Sequence, residues 1–282
     1  MKKNYRGLLA GGFAAMIMIT GCNKDEETLL LEGKTEEEKQ AIAIDIASEQ
    51  YETYAGFESG MMYADEGLEA AEGGRMNQDC YTMTYNVSES SVAYTLDFGD
   101  GCTTPDGQTI RGALQVDMSF VIDESNISMA ATYNFLNYEV DGHIFSGKLI
   151  IDGLEFNADM SETTNFGYNL AMVDAKHTYP DGTHTLLNRE WRMDVDENDG
   201  NIFRVTGASS GKTRIGLRFS ASIDEALEVN QLCGIQGLPV AGIWSASVAE
   251  LGDISIDYGN GACDEIVTLT YNGTDYEIDV VQ

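Results

Sequence analysis

The alternation of apolar and polar positions changes its period once along the chain. From Glu36 to Tyr54 there is neither proline nor glycine, and Ile42 and Ile46 fall on one helical face. Thr35 stands three residues before Glu38, the spacing of a capping box in which each residue answers a free amide of the other. A weaker helical stretch runs through Met61, Met62, Leu68 and Ala70 and ends at Gly73-Gly74. From about Cys80 the period becomes two. Leu114, Val116, Met118, Phe120 and Ile122 alternate with more polar neighbours, as do Ile215, Leu217, Phe219, Ala221 and Ile223. Ile254-Ile256-Tyr258, Val267-Leu269-Tyr271 and Tyr276-Ile278-Val280 repeat the pattern, which gives each strand one wet and one dry face.

Between these runs stand Asp106-Gly107, Asp141-Gly142, Asp181-Gly182, Asp199-Gly200 and Asn272-Gly273, dipeptides that supply the positive φ angles of tight hairpins. They predict an antiparallel meander of roughly ten to twelve strands, too large to remain a flat sheet. The expected fold class is all-β: a large meander, curled, sandwich-like or a partial barrel, preceded by a short helical segment. An internal echo joins Asp97-Phe98-Gly99-Asp100-Gly101-Cys102 to Asp257-Tyr258-Gly259-Asn260-Gly261-Ala262-Cys263. Each is an alternating run that ends in an aromatic, is broken by glycines and reaches a cysteine, so the two read as equivalent strand ends.

The amino terminus has a different pattern. Lys2, Lys3 and Arg6 precede an apolar run from Leu8 to Ile19. A helix over that run spans about 18 Å, short of the roughly 30 Å of a hydrocarbon core, so it predicts an export leader and not a membrane span. Ile19-Thr20-Gly21-Cys22 resembles a lipobox, which implies cleavage before Cys22 and acylation of its thiol. Asn23-Lys24-Asp25-Glu26-Glu27 resembles the export signal of Bacteroidetes-type surface lipoproteins. The expected organisation is a signal peptide over 1–21, an acidic tether over 22–34, the helical segment over 35–74 and a β domain over 75–282. The resemblance implies attachment to the outer membrane through lipid, facing the cell surface.

Charge narrows the partners. The chain carries 16 Lys+Arg against 47 Asp+Glu, a net charge of −31. Such a surface repels phosphate backbones and anionic headgroups, so nucleic acid is excluded as a partner. Beyond Cys22 the cysteines are Cys80, Cys102, Cys233 and Cys263, an even number that in an exported chain suggests disulfides. Three pairings exist. Cys80–Cys102 and Cys233–Cys263 are preferred because each pair is close in sequence; buried free thiols are the alternative. No two of these cysteines have the spacing of a zinc-ligand pair.

The echoed stretches carry a further likeness. Leu96 to Thr103 with Asp106-Gly107 and Arg111-Gly112, and Ile256 to Asp264 with Asn272-Gly273, resemble an uncharacterised group of Bacteroidetes-type lipoproteins. The likeness covers most of residues 80–280. It implies a shared β domain and brings no catalytic residue, metal or cofactor with it.

Several motifs fail on their surroundings. Gly207-Ala208-Ser209-Ser210-Gly211-Lys212-Thr213 approaches a phosphate loop, a Gly-x-Ser-x-Gly elbow and a serine–lysine pair. All three chemistries need a helix next, whereas residues 213–223 alternate as a strand, so a hairpin loop is expected. His177 and His184 flank Asp181-Gly182 and would share a strand face if that turn had two residues, close enough for a metal if a carboxylate joined them. Asp194 to Gly200 approaches a calcium loop, but its glycine is one position late and Val205 stands at the bidentate position. Asp97, Asp100, Asp257, Asn260 and Asp264 offer an oxygen cage, though Asp beside Gly is ordinary turn chemistry. Trp191, Trp244, Tyr133, Tyr138, Tyr168 and Tyr179 offer a sugar-stacking surface, or core and cross-strand packing.

No catalytic residue or cofactor emerges. The first expectation is a lipid-anchored, non-catalytic β module that contacts an envelope protein or other envelope component. A glycan-binding accessory lipoprotein is the alternative, and a hydrolase built on paired carboxylates a second one.

Overall fold

The computed structural model describes residues 31–71, 80–104, 107–122, 126–157, 167–196, 199–233, 238–263 and 266–279. The leader, Cys22, Gly73-Gly74 and Asp264 lie outside them, and so does most of the tether.

The helical segment expected over 35–74 is present, and its two stretches are one continuous helix, α1 (Glu36–Ala71). Its start is the capping box: Thr35 N donates to Glu38 Oε2 at 2.7 Å, and Glu38 N donates to Thr35 Oγ1 at 3.2 Å. It continues through Gly56 and Gly60 because both face the sheet at close quarters. A Cβ on Gly56 would stand 2.1 Å from the Phe145 ring, and one on Gly60 2.4 Å from Phe135. Tertiary packing here outweighs the poor helix propensity of glycine.

The rest is an all-β domain: β1 (Thr82–Val87), β2 (Ser91–Asp97), β3 (Cys102–Thr103), β4 (Thr109–Ile122), β5 (Asn126–Val140), β6 (His143–Asn157), β7 (Gly167–Thr178), β8 (His184–Val195), β9 (Ile202–Lys212), β10 (Arg218–Asn230), β11 (Pro239–Val248), β12 (Gly252–Asn260), β13 (Ile266–Tyr271) and β14 (Thr274–Asp279). All pairings are antiparallel and follow chain order, apart from β3, which pairs only with β4. The 14-stranded sheet is open, with β1 and β14 as its edges. Asp141-Gly142 and Asn272-Gly273 form the expected two-residue hairpins, since Val140 pairs with His143 and Tyr271 with Thr274. Bulges recur in register where Gly112 opposes Asn137 and Gly147 opposes Asp174, with Asn137 and Asp174 also at positive φ. Such a line of extra residues bends long strands together.

The helix crosses the strands instead of following them. Glu36 meets Asn272 in the β13–β14 turn, Tyr54 packs on Trp191 of β8, Phe57 on Phe135 and Phe145 of β5 and β6, and the Ala64 carbonyl accepts from Tyr94 of β2. Its 36 residues give about 54 Å of length, comparable with twelve strand spacings of about 4.8 Å. The core between the two layers runs from Leu31 to Tyr271 along the chain.

Disulfides join Cys80 to Cys102 and Cys233 to Cys263, with Cα–Cα distances of 5.2 and 5.3 Å. Each closes one half of the sequence echo. Asp97 Oδ1 accepts from Gly99 N and Asp257 Oδ1 from Gly259 N, both at 2.8 Å, and Gly99, Gly101, Gly259 and Gly261 all have positive φ. The two strand ends therefore have the same local construction.

Candidate functional site

Beneath α1 the sheet does not close onto the helix completely. A cavity of about 540 Å³ remains between Gln50, Tyr54, Glu58 and Met61 of the helix and the inward side chains of β6 to β12. Its floor is mainly apolar: Ile151, Leu170, Met193, Val205, Leu227, Trp244 and Ile256 all contribute. Tyr51, Met62 and Gln231, exposed residues of the lining, mark its rim.

Two polar groups interrupt that floor. On β8 the inward positions are Thr185, Leu187, Arg189, Trp191 and Met193, so the strand's period of two carries an arginine into the interior. Arg189 is 3% exposed, and its Cζ lies 3.9 Å above the Trp191 ring and 5.4 Å from that of Tyr54. Stacking engages the faces of the guanidinium and does not by itself satisfy its in-plane donors. Nε and Nη1 have no hydrogen-bond partner among the described residues. Burial lowers its pKa to about 10, against the opposing influence of Tyr54 and Tyr258, so it stays charged near neutrality. Gln50, 5% exposed, lies one helical turn before Tyr54, and neither its Oε1 nor its Nε2 has a partner among the described residues. Glu58 is the one carboxylate among the described lining residues, and burial raises its pKa. A lining with a single carboxylate does not offer the facing pair that a glycosidase uses.

No protein-family model matches the chain, and neither a curated protein nor a solved structure is detectably similar to it. The reading of this cavity rests on its own chemistry.

A second buried polar cluster lies beside the cavity and holds α1 to the sheet. Glu49 accepts from Thr185 Oγ1 at 3.1 Å and from the Arg214 amide at 2.8 Å, yet desolvation still pushes its pKa up to about 7. His177 is stacked on Phe145, bonded to Thr53 through Nδ1 at 3.3 Å and to His143 through Nε2 at 2.9 Å. Burial, then the neighbouring His143 and Arg214, depress it to about 4. The histidine partnership differs from the one expected. Tyr179, Pro180, Asp181 and Gly182 form the turn, Thr178 pairs with His184, and one residue of register puts His184 on the outer face, away from buried His177.

The remaining motifs resolve as follows. Gly207–Lys212 lies within β9 and is not the hairpin loop expected; the loop follows at 213–217, and Ile215 is in it. Asp194 and Asp196 each pair with an arginine, Arg192 and Arg204, at 2.8 Å. Asp97 and Asp257 sit on β2 and β12, at distant places in the strand order, so no oxygen cage assembles from them. Among the described residues no three His, Cys, Asp or Glu side chains cluster as a metal ion needs. Trp244, Tyr133, Tyr138 and Tyr179 are buried, and Trp191 is covered by Arg189 and Tyr54, so these aromatics pack inward and make no exposed platform.

Sequence reasoning passed over Arg189 and Gln50. The signal for Arg189 was present: an arginine on the dry face of an alternating strand, between Leu187 and Trp191. Gln50 had none, because Glu49, Gln50 and Thr53 make the buried stripe of α1 polar at its centre.

Proposed function

We propose that this protein is a lipid-anchored lipoprotein of the outer membrane, facing the cell surface, whose β-rich domain is a non-catalytic binding module for a small ligand. The cavity under α1 carries the binding part of this reading. It is concave and mainly apolar, with a few buried polar groups unpaired, which is the usual character of a ligand site. An apolar interior of that kind, with one carboxylate, suits holding a molecule better than transforming it. The anchor is supported by the leader and by Ile19-Thr20-Gly21-Cys22, and the acidic residues after Cys22 support surface exposure.

Two experiments test the two halves. Cys22→Ala is expected to abolish labelling by palmitate and to release the protein from the membrane fraction; persistent labelling and sedimentation would rule out the anchor. For the cavity, residues 23–282 contain the whole core described above and can be titrated with the neutral fluorophore N-phenyl-1-naphthylamine. Saturable binding that quenches Trp191 and Trp244, and that Leu227→Trp weakens by filling the cavity, is expected. Unchanged tryptophan emission throughout the titration would remove the binding reading.

A further inference from the structure

We propose that the ligand is an amphiphile with a singly charged anionic head, a carboxylate, which pairs with Arg189 while its apolar tail lies on the floor formed by Leu227, Trp244 and Ile256. This rests on the reading of the cavity as a binding site and adds the chemistry of its occupant.

The argument starts from an imbalance of charge. Arg189 is the only cation among the described lining residues, and it is almost entirely buried. An isolated ion inside a protein is costly unless it is paired and hydrogen-bonded. Trp191 and Tyr54 answer only the faces of the guanidinium, while two of the three nitrogens in its plane, Nε and Nη1, have no acceptor among the described residues. Glu58 does not pair with it: among the described residues no carboxylate forms an ion pair with Arg189, and the Glu58 carboxylate is bonded to Tyr54 instead. What is missing is an in-plane acceptor carrying negative charge. Carboxylate and phosphate oxygens can both accept in the plane of a guanidinium, and the carboxylate carries the single charge that one arginine balances. A doubly charged phosphate head would be left half compensated by one arginine, in a lining that also contains Glu58.

The rest of the lining decides that the anion carries an apolar body. Seven aliphatic, thioether and indole side chains contribute to the floor, and among the described lining residues no second cation accompanies Arg189 to receive a small dicarboxylate. Gln50 presents a donor and an acceptor on the helical side, with Nε2 free to meet the head and Oε1 free to accept from a hydroxyl or amide near it. The volume of about 540 Å³ is within the range in which small-molecule sites bury most of their ligand. The strongly acidic surface of the chain repels anions in general, so selection of one belongs to this buried arginine and not to long-range attraction.

The test compares two ligands that differ only in the head. Residues 23–282 are titrated with dodecanoate and with dodecanol near pH 7.4, by displacement of the neutral fluorophore and by tryptophan emission. Dodecanoate is expected to displace it at a concentration at least about tenfold lower than dodecanol does. Arg189→Met is expected to bring the two together by weakening the acid alone, and Arg189→Lys to restore part of the difference. Near-ultraviolet circular dichroism of each variant establishes that it is folded. Equal binding of alcohol and acid to the wild type, or a preference that survives in Arg189→Met, overturns the proposal. Binding of the fluorophore with no displacement by either ligand also overturns it, while leaving the binding reading in place. Failure of the fluorophore itself to bind counts against that reading.

Discussion

Three buried ionisable side chains, Glu49, His177 and Arg189, stand at the join between helix and sheet, and each is held off its ordinary ionisation by desolvation. Two of them give stability opposite dependences on pH. Glu49 titrates near 7 in the fold and near 4.5 in the unfolded chain. Between those values the fold binds the extra proton, so its contribution is complete below 4.5 and declines as pH rises through 7. His177 behaves in the reverse sense. Its folded value of about 4 lies below the ordinary 6.5, so the unfolded chain binds more protons in that window and stability falls as pH drops from 6.5 toward 4. Glu49→Gln retains an acceptor for Thr185 and the Arg214 amide. Its melting temperature relative to wild type is expected to climb from pH 4.5 to pH 7 and to level off above, which calorimetry across that range measures. A difference independent of pH would show that Glu49 is ionised throughout. Arg189→Met is expected to raise the melting temperature of the ligand-free domain, because it removes a buried charge without a counter-ion. A residue kept at a cost to the empty fold is the mark of a site with an occupant.

Among the elements, α1 depends most on its surroundings. Its buried stripe of Ala43, Ile46, Glu49, Gln50, Thr53, Phe57, Gly60 and Ala64 has the helical spacing, but its middle is polar and it includes a glycine. Apolar periodicity therefore marked its first half and, more weakly, its second, as two separate stretches. Gly56→Ala is expected to destabilise the protein although alanine is the better helix former by about 1 kcal/mol. The added methyl would meet Phe145, which cannot retreat because Phe57 and His177 pack against it, and overpacking of this kind costs about 1–3 kcal/mol. Phe145→Leu in the same chain should recover part of the loss, and urea denaturation of the double-mutant cycle measures the coupling. At the other end, Thr35→Ala removes half of the capping box and is expected to lower stability by about 1 kcal/mol in the same assay. The strands behaved differently. Alternation identified the inward residues of β12 and β13, whereas Phe120 and Ile122 at the far end of β4 leave the core, and Ile122 is 67% exposed.

At the scale of the molecule, an open sheet of 14 strands is held by one crossing helix and by two disulfides that close loops at equivalent strand ends. The sequence separations of 22 and 30 residues correspond to about 3–4 kcal/mol each in the chain-entropy account. Cys233→Ala with Cys263→Ala is expected to lower the unfolding free energy by about 3–4 kcal/mol, which urea denaturation measures. The effect should also reach ligand affinity, because Gln231 on the cavity rim precedes the bridge by two residues. Unchanged affinity in a folded double variant would show that the rim is positioned without it.

Local chemistry was enough to establish the export leader as an expectation, the change from helical to strand period, the two-residue hairpins and the repeated glycine-cysteine strand ends. These depend on neighbours a few residues away, where φ preference, side-chain alternation and caps act directly. The register around Asp181-Gly182, the continuity of α1 through Gly56 and Gly60, and the pairing of His177 with His143 came only from tertiary structure. Each depends on what lies across the helix–sheet space, and a shift of one residue there exchanges the inner and outer faces. The cavity has the same origin. An arginine in strand β8 and a glutamine in α1 are ordinary residues along the chain, and they become an unpaired polar pair in an apolar chamber only when the helix is laid across the sheet.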